Sequence, residues 1–405
     1  MKASAQFSAS GTGHSISLTG SNVTKVDAVF LFNGITADNQ VQFSGAGINS
    51  YVWTKYDGTF MSNQSSVSVE DGTGYILTVN GGSKHYYIWV IDYQNYLAQL
   101  NSLTPVEGAN KCTTLSLSFG GTIPSLTYVD STKVTSHSLN RQFTLTYPDL
   151  QYSSGSWSAI TQTQTVTAPV SSISVSAPFE DTKFTLSGDQ YATLFSIPVS
   201  VSSATYTAIR TKSNLAGSII VRGALNEIQE AVSPLEGSGP LNVSLKSNAN
   251  LPVTQFYQWN IYNVSTPASY DRYTDTDLRY IFSQTGTFRV KLTTYSANEV
   301  CSYTDSVTVI VDGSRIDVPN VFTPNGDGMN DEFKVSYESI AQYQILVYSS
   351  WAGKVYSSTD PAAGWDGRVG GRLAPPGVYY YLINAVGTDG RKIKLKGSVT
   401  LLRAK

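Results

Sequence analysis

Apolar and hydroxyl-bearing side chains alternate with a period of two through most of this 405-residue chain. The pattern is clear in SISLTG (Ser15–Gly20), YILTV (Tyr75–Val79), LSLSF (Leu115–Phe119) and QFTLTY (Gln142–Tyr147). Because successive side chains of a β-strand point to opposite faces, these segments predict strands with one buried and one solvated face. Such sheets bury their apolar faces against one another, so the pattern predicts an all-β chain of sandwiches.

The alternation is interrupted at three places by clusters of Gly, Pro, Asn and Ser, near 105–111, 222–240 and 312–314. The second break contains one short candidate helix, LNEIQEAV (Leu225–Val232). At about 100 residues per sandwich, the length suits four domains. We predict an immunoglobulin-like sandwich at 1–110, a β-sandwich at 111–223, a third sandwich at 224–313 and a terminal sandwich at 314–405.

Charge and hydropathy exclude several kinds of partner. The net charge is −2 and the pI is near 5.9, so no basic field exists for nucleic acid. No apolar run reaches the 18 or so residues of a membrane helix, so no membrane span is predicted. Ala3-Ser4-Ala5 has the small-residue form of a signal peptidase site, so we interpret the start as either a shortened N-terminus or the stub of a removed signal peptide.

The chain has two cysteines, Cys112 and Cys301, which lie in different predicted domains. A disulfide requires close approach of the two Cα atoms, and residues of separate domains seldom satisfy it. We therefore favour two separate thiols, each buried in a strand, over a disulfide.

The third domain contains FYQWNIY (Phe256–Tyr262) and the long block from YIFSQTGTFRVKLT onward (Tyr280–Val311). This order resembles a polycystic-kidney-disease-type (PKD) repeat, with Trp259 on a central strand. The acidic WDFGDG-like turn of that family is replaced here by Asn260 and the residues that follow it. The resemblance therefore implies the fold, and no calcium or ligand role of that turn is carried over.

The terminal segment combines VPNVFTPNGDGMNDEF (Val318–Phe333), GWDGR (Gly364–Arg368), APPGVYYYLI (Ala374–Ile383) and KGSVTLLRAK (Lys396–Lys405). Together these blocks resemble the gliding-motility-associated C-terminal domain, the type B sorting signal of the Bacteroidetes type IX secretion system. The chain departs from the family at Ser349–Ala352, where an NRWG sequence is usual. The residues that carry the resemblance are Pro324, Asn325, Gly326, Asp327, Gly328, Trp365, Asp366, Gly367 and Gly377.

The resemblance implies a partner and a location. In the family, the domain is recognised by the secretion machinery after a signal peptide has delivered the protein to the periplasm. We therefore expect the type IX secretion machinery as a partner, and a final location in the medium or on the outer-membrane cell surface. The export route does not indicate what the first three domains do.

The loop at 325–332 is the best metal candidate. Asn325, Asp327, Asn330 and Asp331 place oxygens around Gly-permitted turns, as calcium loops do. The alternative is a turn in which these side chains cap backbone N–H groups, and we favour it because the twelfth-position Glu of an EF-type loop is missing. Calcium is thus the one cofactor that the sequence suggests.

Other catalytic and metal patterns are missing from the sequence. There is no GxSxG, HExxH or Walker loop, and the three histidines lack zinc spacing. Asp271, Asp275 and Asp277 form an acidic cluster that we interpret as a solvated connection. We predict that the protein is not an enzyme, although two distant carboxylates of a hydrolase could escape detection in sequence.

The first domain carries the aromatic residues that could bind a ligand. Trp53, Tyr56, Tyr87 and Trp89 could offer flat faces to a sugar ring or a protein partner. The alternative, which we favour for most of them, is that they fill the sandwich core.

The leading hypothesis is a secreted, non-enzymatic adhesin or structural module with an unknown protein or glycan ligand, and the second is an exported carbohydrate-binding protein.

Overall fold

The computed structural model describes residues 6–220, 234–351 and 353–403. The predicted helix Leu225–Val232 and the start Met1–Ala5 lie outside these residues. Two compact units make up the chain, namely Met1–Gln151 with Trp157–Ala208, and Tyr152–Ser156 with Ile209–Lys405. We describe each unit by itself.

The first sandwich of unit 1 has a three-stranded sheet, β1-β4-β7, and a six-stranded sheet, β2-β3-β9-β8-β5-β6. Pairs are antiparallel except β3 with β9, which is parallel. Short 3-10 turns occur at Gly20–Asn22, Asn80–Gly82 and Tyr93–Tyr96. The strands are β1 (Gln6–Ser10), β2 (Ser15–Leu18), β3 (Ala28–Phe32), β4 (Gln40–Ser44), β5 (Tyr51–Lys55), β6 (Phe60–Ser62), β7 (Ser66–Ser68), β8 (Thr73–Val79) and β9 (Lys84–Asp92).

Strand β3 departs from the alternating pattern because its sheet is covered on both faces. Its sequence is AVFLF, and all five residues are buried. Phe30 faces the core between the two sheets of the first sandwich, whereas Val29 and Leu31 face a second apolar cluster. A strand buried on both sides needs a continuous apolar run, which is what this sequence supplies.

The second sandwich of unit 1 has the sheets β10-β11-β16 and β15-β14-β17-β18 and the hairpin β12-β13. Strand β10, which the predicted boundary at residue 110 leaves in the first domain, pairs with β11. The elements are β10 (Gln99–Glu107), β11 (Thr114–Thr122), β12 (Leu126–Val129), β13 (Ser136–Leu139), β14 (Gln142–Ser153), β15 (Ser156–Thr167), β16 (Ser172–Ser176), β17 (Thr185–Asp189), α1 (Gln190–Leu194) and β18 (Ser200–Ser202).

One apolar cluster joins the two sandwiches of unit 1. Val29 and Leu31 of β3 pack there with Tyr128 of β12 and with Tyr191 and Phe195 of the α1 region. The burial of each such side chain contributes about 1.5–3 kcal/mol. The two sandwiches of unit 1 therefore share a core and are held together by packing, unlike domains on a flexible linker.

In unit 2, the third sandwich has the sheets β19-β21-β24 and β20-β26-β25-β22-β23. Trp259, predicted on a central strand, is fully buried in its core. A 3-10 turn at Ala297–Glu299 follows β25. The strands are β19 (Ala216–Ile219), β20 (Glu236–Ser238), β21 (Leu241–Lys246), β22 (Thr254–Asn263), β23 (Tyr270–Tyr273), β24 (Leu278–Phe282), β25 (Gly286–Ser296) and β26 (Ser302–Asp312).

The terminal sandwich is built on one five-stranded sheet, β28-β35-β34-β30-β31, with the small pairs β27-β29 and β32-β33. The turn at Thr388–Gly390 lies between β34 and β35, which form an antiparallel hairpin. The strands are β27 (Arg315–Asp317), β28 (Val321–Phe322), β29 (Ser336–Glu338), β30 (Ile340–Ser349), β31 (Gly353–Ser358), β32 (Arg368–Val369), β33 (Arg372–Leu373), β34 (Gly377–Gly387) and β35 (Lys392–Leu401).

The predicted all-β class is confirmed, since the alternating segments lie in β2, β8, β11 and β14. The domain boundaries stay predictions. None of the helices formed by the described residues combines the length and apolar character that a bilayer span requires.

The expectation for the cysteines is wrong. Cys112 and Cys301 are both disulfide-bonded, and the described part of the chain contains no free cysteine. The sequence argument was that the two cysteines lie in different predicted domains, and that assignment does not determine the distances that their side chains reach after folding.

Candidate functional site

Trp365, the tryptophan of the GWDGR block, lies at the centre of the terminal sandwich. Its side chain is 1% exposed and its ring centroid is 4.8 Å from that of Tyr379 and 5.4 Å from that of Phe322. The indole N–H donates to the carbonyl oxygen of Arg368 at 2.8 Å, and its backbone pairs with that of Phe333. Trp365 is therefore a core residue that also fixes the turn that follows it.

Arg403 connects three parts of the segment that are far apart in sequence. Its guanidinium donates to the carbonyl oxygen of Pro324 at 3.3 Å and to that of Gly367 at 2.9 Å. Gly367 has φ +73°, and a Cβ there would lie 3.0 Å from Leu401 Cδ1 and 3.1 Å from Pro324 Cγ. The positive φ favours glycine, and a Cβ here would require the neighbouring side chains to shift.

Sequence reasoning did not single out Arg403. The available signal was a cation directly after the last apolar strand. The carbonyl groups that Arg403 contacts could not be predicted, because the contacts depend on how close Pro324 and Gly367 lie in the folded domain.

The remaining motif residues Asp366 and Gly377 shape the turns. One carboxylate oxygen of the exposed Asp366 accepts the backbone N–H of Arg368 at 3.0 Å. Gly377 begins β34 with φ +149° and pairs with Leu401 of β35. The residues that carry the family resemblance thus form part of the core and the turns of the terminal sandwich.

The loop at 325–331 is organised around Asp331. One oxygen of its carboxylate accepts the backbone N–H groups of Asn325 (2.9 Å) and Gly326 (2.7 Å), and the other accepts that of Gly328 at 2.8 Å. These hydrogen bonds hold the pKa of Asp331 below its ordinary value, because they favour the ionised form. Asp331 is therefore the residue that closes the loop.

The side-chain oxygens of this loop accept hydrogen bonds from other groups of the same loop. The Asp327 carboxylate accepts the N–H of Met329 at 2.7 Å and an amide hydrogen of Asn325 at 2.8 Å. The amide oxygen of Asn325 in turn accepts the N–H of Asp327 at 3.1 Å. In the part of the chain that the structure describes, no group of three or more His, Cys, Asp or Glu side chains could hold a metal. This geometry fits the capped turn, and calcium binding by Asn325, Asp327, Asn330 and Asp331 stays a prediction.

The aromatic residues of the first sandwich fall into two groups. Trp53 is completely buried, and its indole N–H donates to the carbonyl oxygen of Gln64 at 3.1 Å. Its assignment to a ligand-binding surface is therefore wrong. Residue 53 lies on the inward-facing side of β5, which alternation alone could not distinguish from the outward-facing side.

Tyr56, Tyr87 and Trp89 form a half-buried cluster. The Tyr56 ring lies 6.2 Å from Tyr87 and 5.8 Å from Trp89, inclined at 71° and 62° to them. The Tyr56 hydroxyl donates to the carbonyl oxygen of Val129 at 3.4 Å, and burial raises its pKa. Trp89 packs against the cluster that joins the two sandwiches of unit 1. These edge-to-face contacts do not form a shared flat platform.

The acidic residues of the third sandwich do not converge on one site. The carbonyl oxygen of Asp275 accepts the indole N–H of Trp259 at 2.7 Å. Asp277 forms an ion pair with Lys246 at 2.8 Å, and Asp271 accepts the hydroxyl of Tyr280 at 2.5 Å. Each of these three acidic residues thus contacts a different strand of the third sandwich.

Three solved structures are distantly similar to this chain. A tetra-tandem repeat of the extending region of a large adhesion protein is 15% identical, with 92% of this chain and 98% of that chain covered and a TM-score of 0.22. Sidekick-1 immunoglobulin domains 1–5 are 12% identical, with 96% and 77% covered and a TM-score of 0.25. A structure of a 1.5-MDa bacterial ice-binding adhesin is 13% identical, with 76% and 100% covered and a TM-score of 0.22.

No curated protein matches the chain with significance. Two domain families do match. Residues 104–203 match a fibronectin type III domain family, and residues 316–401 match the CHU_C type IX secretion signal domain. Both are non-catalytic kinds of domain. The chain therefore carries a type IX secretion signal domain at 316–401 and a fibronectin type III-like domain at 104–203.

Proposed function

We propose that this protein is an exported cell-surface or secreted protein whose earlier sandwiches form a non-enzymatic adhesin or structural module. The terminal sandwich is its export signal, recognised by the type IX secretion machinery. The single observation that carries the export assignment is the match of residues 316–401 to the secretion signal domain. The match covers nearly the whole terminal sandwich and is far more specific than a short motif.

The folding of the terminal segment supports a role in recognition. Arg403, Gly367 and Trp365 join the start, middle and end of the segment into one packed body. A signal of this kind presents a fixed surface, whereas a linear signal is read as an extended peptide. We infer that the secretion machinery reads the folded sandwich.

The adhesin or structural role is supported by unit 1. Its two sandwiches share an apolar cluster and a buried polar network formed by Tyr93, Arg141 and Asp189. A pair of sandwiches held in this way resists relative motion and suits a load-bearing or display element. The carbohydrate-binding alternative has weaker support, because Trp53 is buried and the other three rings meet edge to face.

Deletion of Ile316–Lys405 tests the export assignment. In a bacterium with a type IX system, we expect the truncated protein to remain in the periplasm while the full chain reaches the surface or medium. Normal export of the truncated protein would contradict the proposal. Attachment of exporting cells to protein-coated and glycan-coated surfaces, compared with cells lacking the gene, then tests the adhesin role, and unchanged attachment would contradict it.

A further inference from the structure

One face of the large sheet in the terminal sandwich is uncovered. Its other face contributes residues such as Ile345, Ile383 and Val399 to the core. Direct cross-strand neighbours share a face of a sheet, so the pairing registers define which side chains lie together on the uncovered side. Five cross-strand rows make up this outer face: Val378–Thr400, Lys354–Tyr348–Tyr380–Ser398, Ser357–Leu346–Leu382–Lys396, Gln344–Asn384–Lys394 and Gln342–Val386–Lys392.

These rows contain four lysines and no acidic residue. Lys392, Lys394 and Lys396 alternate along β35, so their attachment points are about 6.8 Å apart. Among the described residues, the ion pairs of the terminal sandwich use Arg315, Lys334 and Arg368 instead of any lysine of this face. Within the part of the chain that the structure describes, the four lysines of the outer face therefore have no ion-pair partner.

This basic face belongs to a protein that is acidic as a whole. Residues 314–405 contain eleven Lys and Arg and eight Asp and Glu, whereas the full chain has 27 and 29. The positive charge is thus concentrated in the terminal domain and, within its sheet, on the outer face. Clustered charge of one sign steers association with a partner of opposite charge.

An apolar and aromatic patch lies beside the lysines. Tyr380 is 55% exposed, Val378 52%, Leu382 38% and Tyr348 37%, and all four lie on the central strands β34 and β30. Polar residues normally occupy the solvated face of an antiparallel sheet, so this exposure is unusual for a strand centre. A face with exposed tyrosines bordered by lysines has the composition of a protein interface.

We propose that the outer face of this sheet, centred on Tyr380 and Leu382 and bordered by Lys394 and Lys396, is the surface that docks an acidic protein of the export machinery. The inference rests on the proposed export function and specifies which surface of the signal domain is read. The lysines steer and orient the acidic partner, and the tyrosine and leucine side chains bury apolar area in the contact.

A protein partner fits the face better than an anionic membrane does. The apolar side chains project from the middle of a regular sheet and are only about half exposed, whereas membrane binding favours side chains that protrude and insert. The polar rows of Gln342, Gln344 and Asn384 would also have to enter the interface. A protein surface can satisfy these amides with hydrogen bonds.

The test is the export of charge-reversal variants of the full chain. We expect K394E/K396E to reduce the amount of surface and extracellular protein about tenfold, with accumulation in the periplasm. Tyr380→Ala should reduce export in the same direction. The matched control is R289E/K291E, which reverses two exposed cations at the same i, i+2 spacing on β25 of the third sandwich and should export normally.

Thermal unfolding of the purified variants separates folding from recognition, and K394E/K396E should melt at the temperature of the unsubstituted protein. Normal export of K394E/K396E, while the Ile316–Lys405 deletion is retained in the periplasm, would overturn the docking face and leave the export function intact. Export of the deletion would overturn both. Binding of the unsubstituted full chain to phosphatidylcholine–phosphatidylglycerol vesicles, lost in K394E/K396E, would replace the proposal with membrane recognition.

Discussion

Arg141 and Asp189 form an ion pair inside unit 1, where their side chains are 2% and 0% exposed. Asp189 also accepts the hydroxyl of Tyr93 at 2.6 Å, and it caps α1 by accepting the N–H of Ala192 at 2.9 Å. Arg141 donates to the carbonyl oxygen of Pro124 at 2.6 Å. Every member of this network has a partner, which is the condition under which a buried ion pair is tolerated.

Removal of one member should therefore be costly. Arg141→Ala leaves the Asp189 carboxylate buried without its cation, and we expect a loss of about 3–5 kcal/mol in the free energy of unfolding of unit 1. Urea denaturation followed by tryptophan fluorescence measures this loss. The control is Arg279→Ala at an exposed position, which should change stability by less than about 0.5 kcal/mol. Equal effects of the two substitutions would contradict the role of the network.

Arg403 offers a test of the terminal sandwich. Arg403→Met keeps most of the side-chain length but removes the donors to Pro324 and Gly367, so we expect the domain to lose about 2 kcal/mol of stability. Arg372→Met, at an exposed position of the same sandwich, is the control and should have little effect. Differential scanning calorimetry checks both variants, and unchanged melting of Arg403→Met would show that these hydrogen bonds contribute nothing.

The lowered pKa of Asp130 predicts that unit 1 loses stability in acid. Hydrogen bonds from Thr132 and His137 lower the pKa of Asp130 to about 2. Since the pKa in the unfolded chain is about 4, this stabilisation is complete above pH 4 and is lost as the pH falls towards 2. Asp130→Asn should flatten the fall of the urea midpoint between pH 4 and 2.

Thr132→Val gives a second arm of this test. The Thr132 hydroxyl is the largest cause of the lowered pKa, so its removal should bring the pKa of Asp130 closer to its ordinary value. The difference between the folded and unfolded pKa values then becomes smaller, and less stability is lost in acid. If both variants follow the pH dependence of the unsubstituted protein, Asp130 does not contribute to acid sensitivity.

The hydrogen bonds within the loop at 325–331 predict that the loop does not need calcium for its structure. Asp331→Asn leaves one oxygen acceptor for three backbone N–H groups, and we expect a lower melting temperature of the terminal sandwich. Asp317→Asn, at an exposed position, is the control. Added calcium should leave the melting temperature of the unsubstituted protein unchanged, and a rise that Asp331→Asn abolishes would establish the calcium site instead.

The sequence predicted the strands well because alternation reports on local geometry. QFTLTY (Gln142–Tyr147) was predicted as a strand and lies entirely within β14. The turn at Thr388–Gly390 was likewise readable, since Asp-Gly is a strong hairpin signal. Alternation does not show which of the two faces is inward, and for this reason Trp53 was placed on a surface when it lies in the core.

The candidate sites were less predictable because they depend on contacts between distant residues. Asp331 was recognised as an oxygen donor, but its role in closing the loop on Asn325, Gly326 and Gly328 required the backbone path. Arg403 carried no motif of its own and became significant only through its two carbonyl partners. The lysines of β35 were visible in the sequence, whereas their acid-free surroundings follow from the registers of three other strands.

The sequence by itself determined that this is an all-β protein with a type IX secretion signal domain at its C-terminal end, because strand periodicity and ordered motif blocks are properties of local sequence. Tertiary structure decided that β3 is buried on both faces and that Arg141 pairs with Asp189. It also decided the hydrogen bond from Arg403 to Gly367 and the composition of the uncovered sheet face. Each of these depends on which strands become neighbours, and that choice is made by the burial of apolar surface over the whole folded unit.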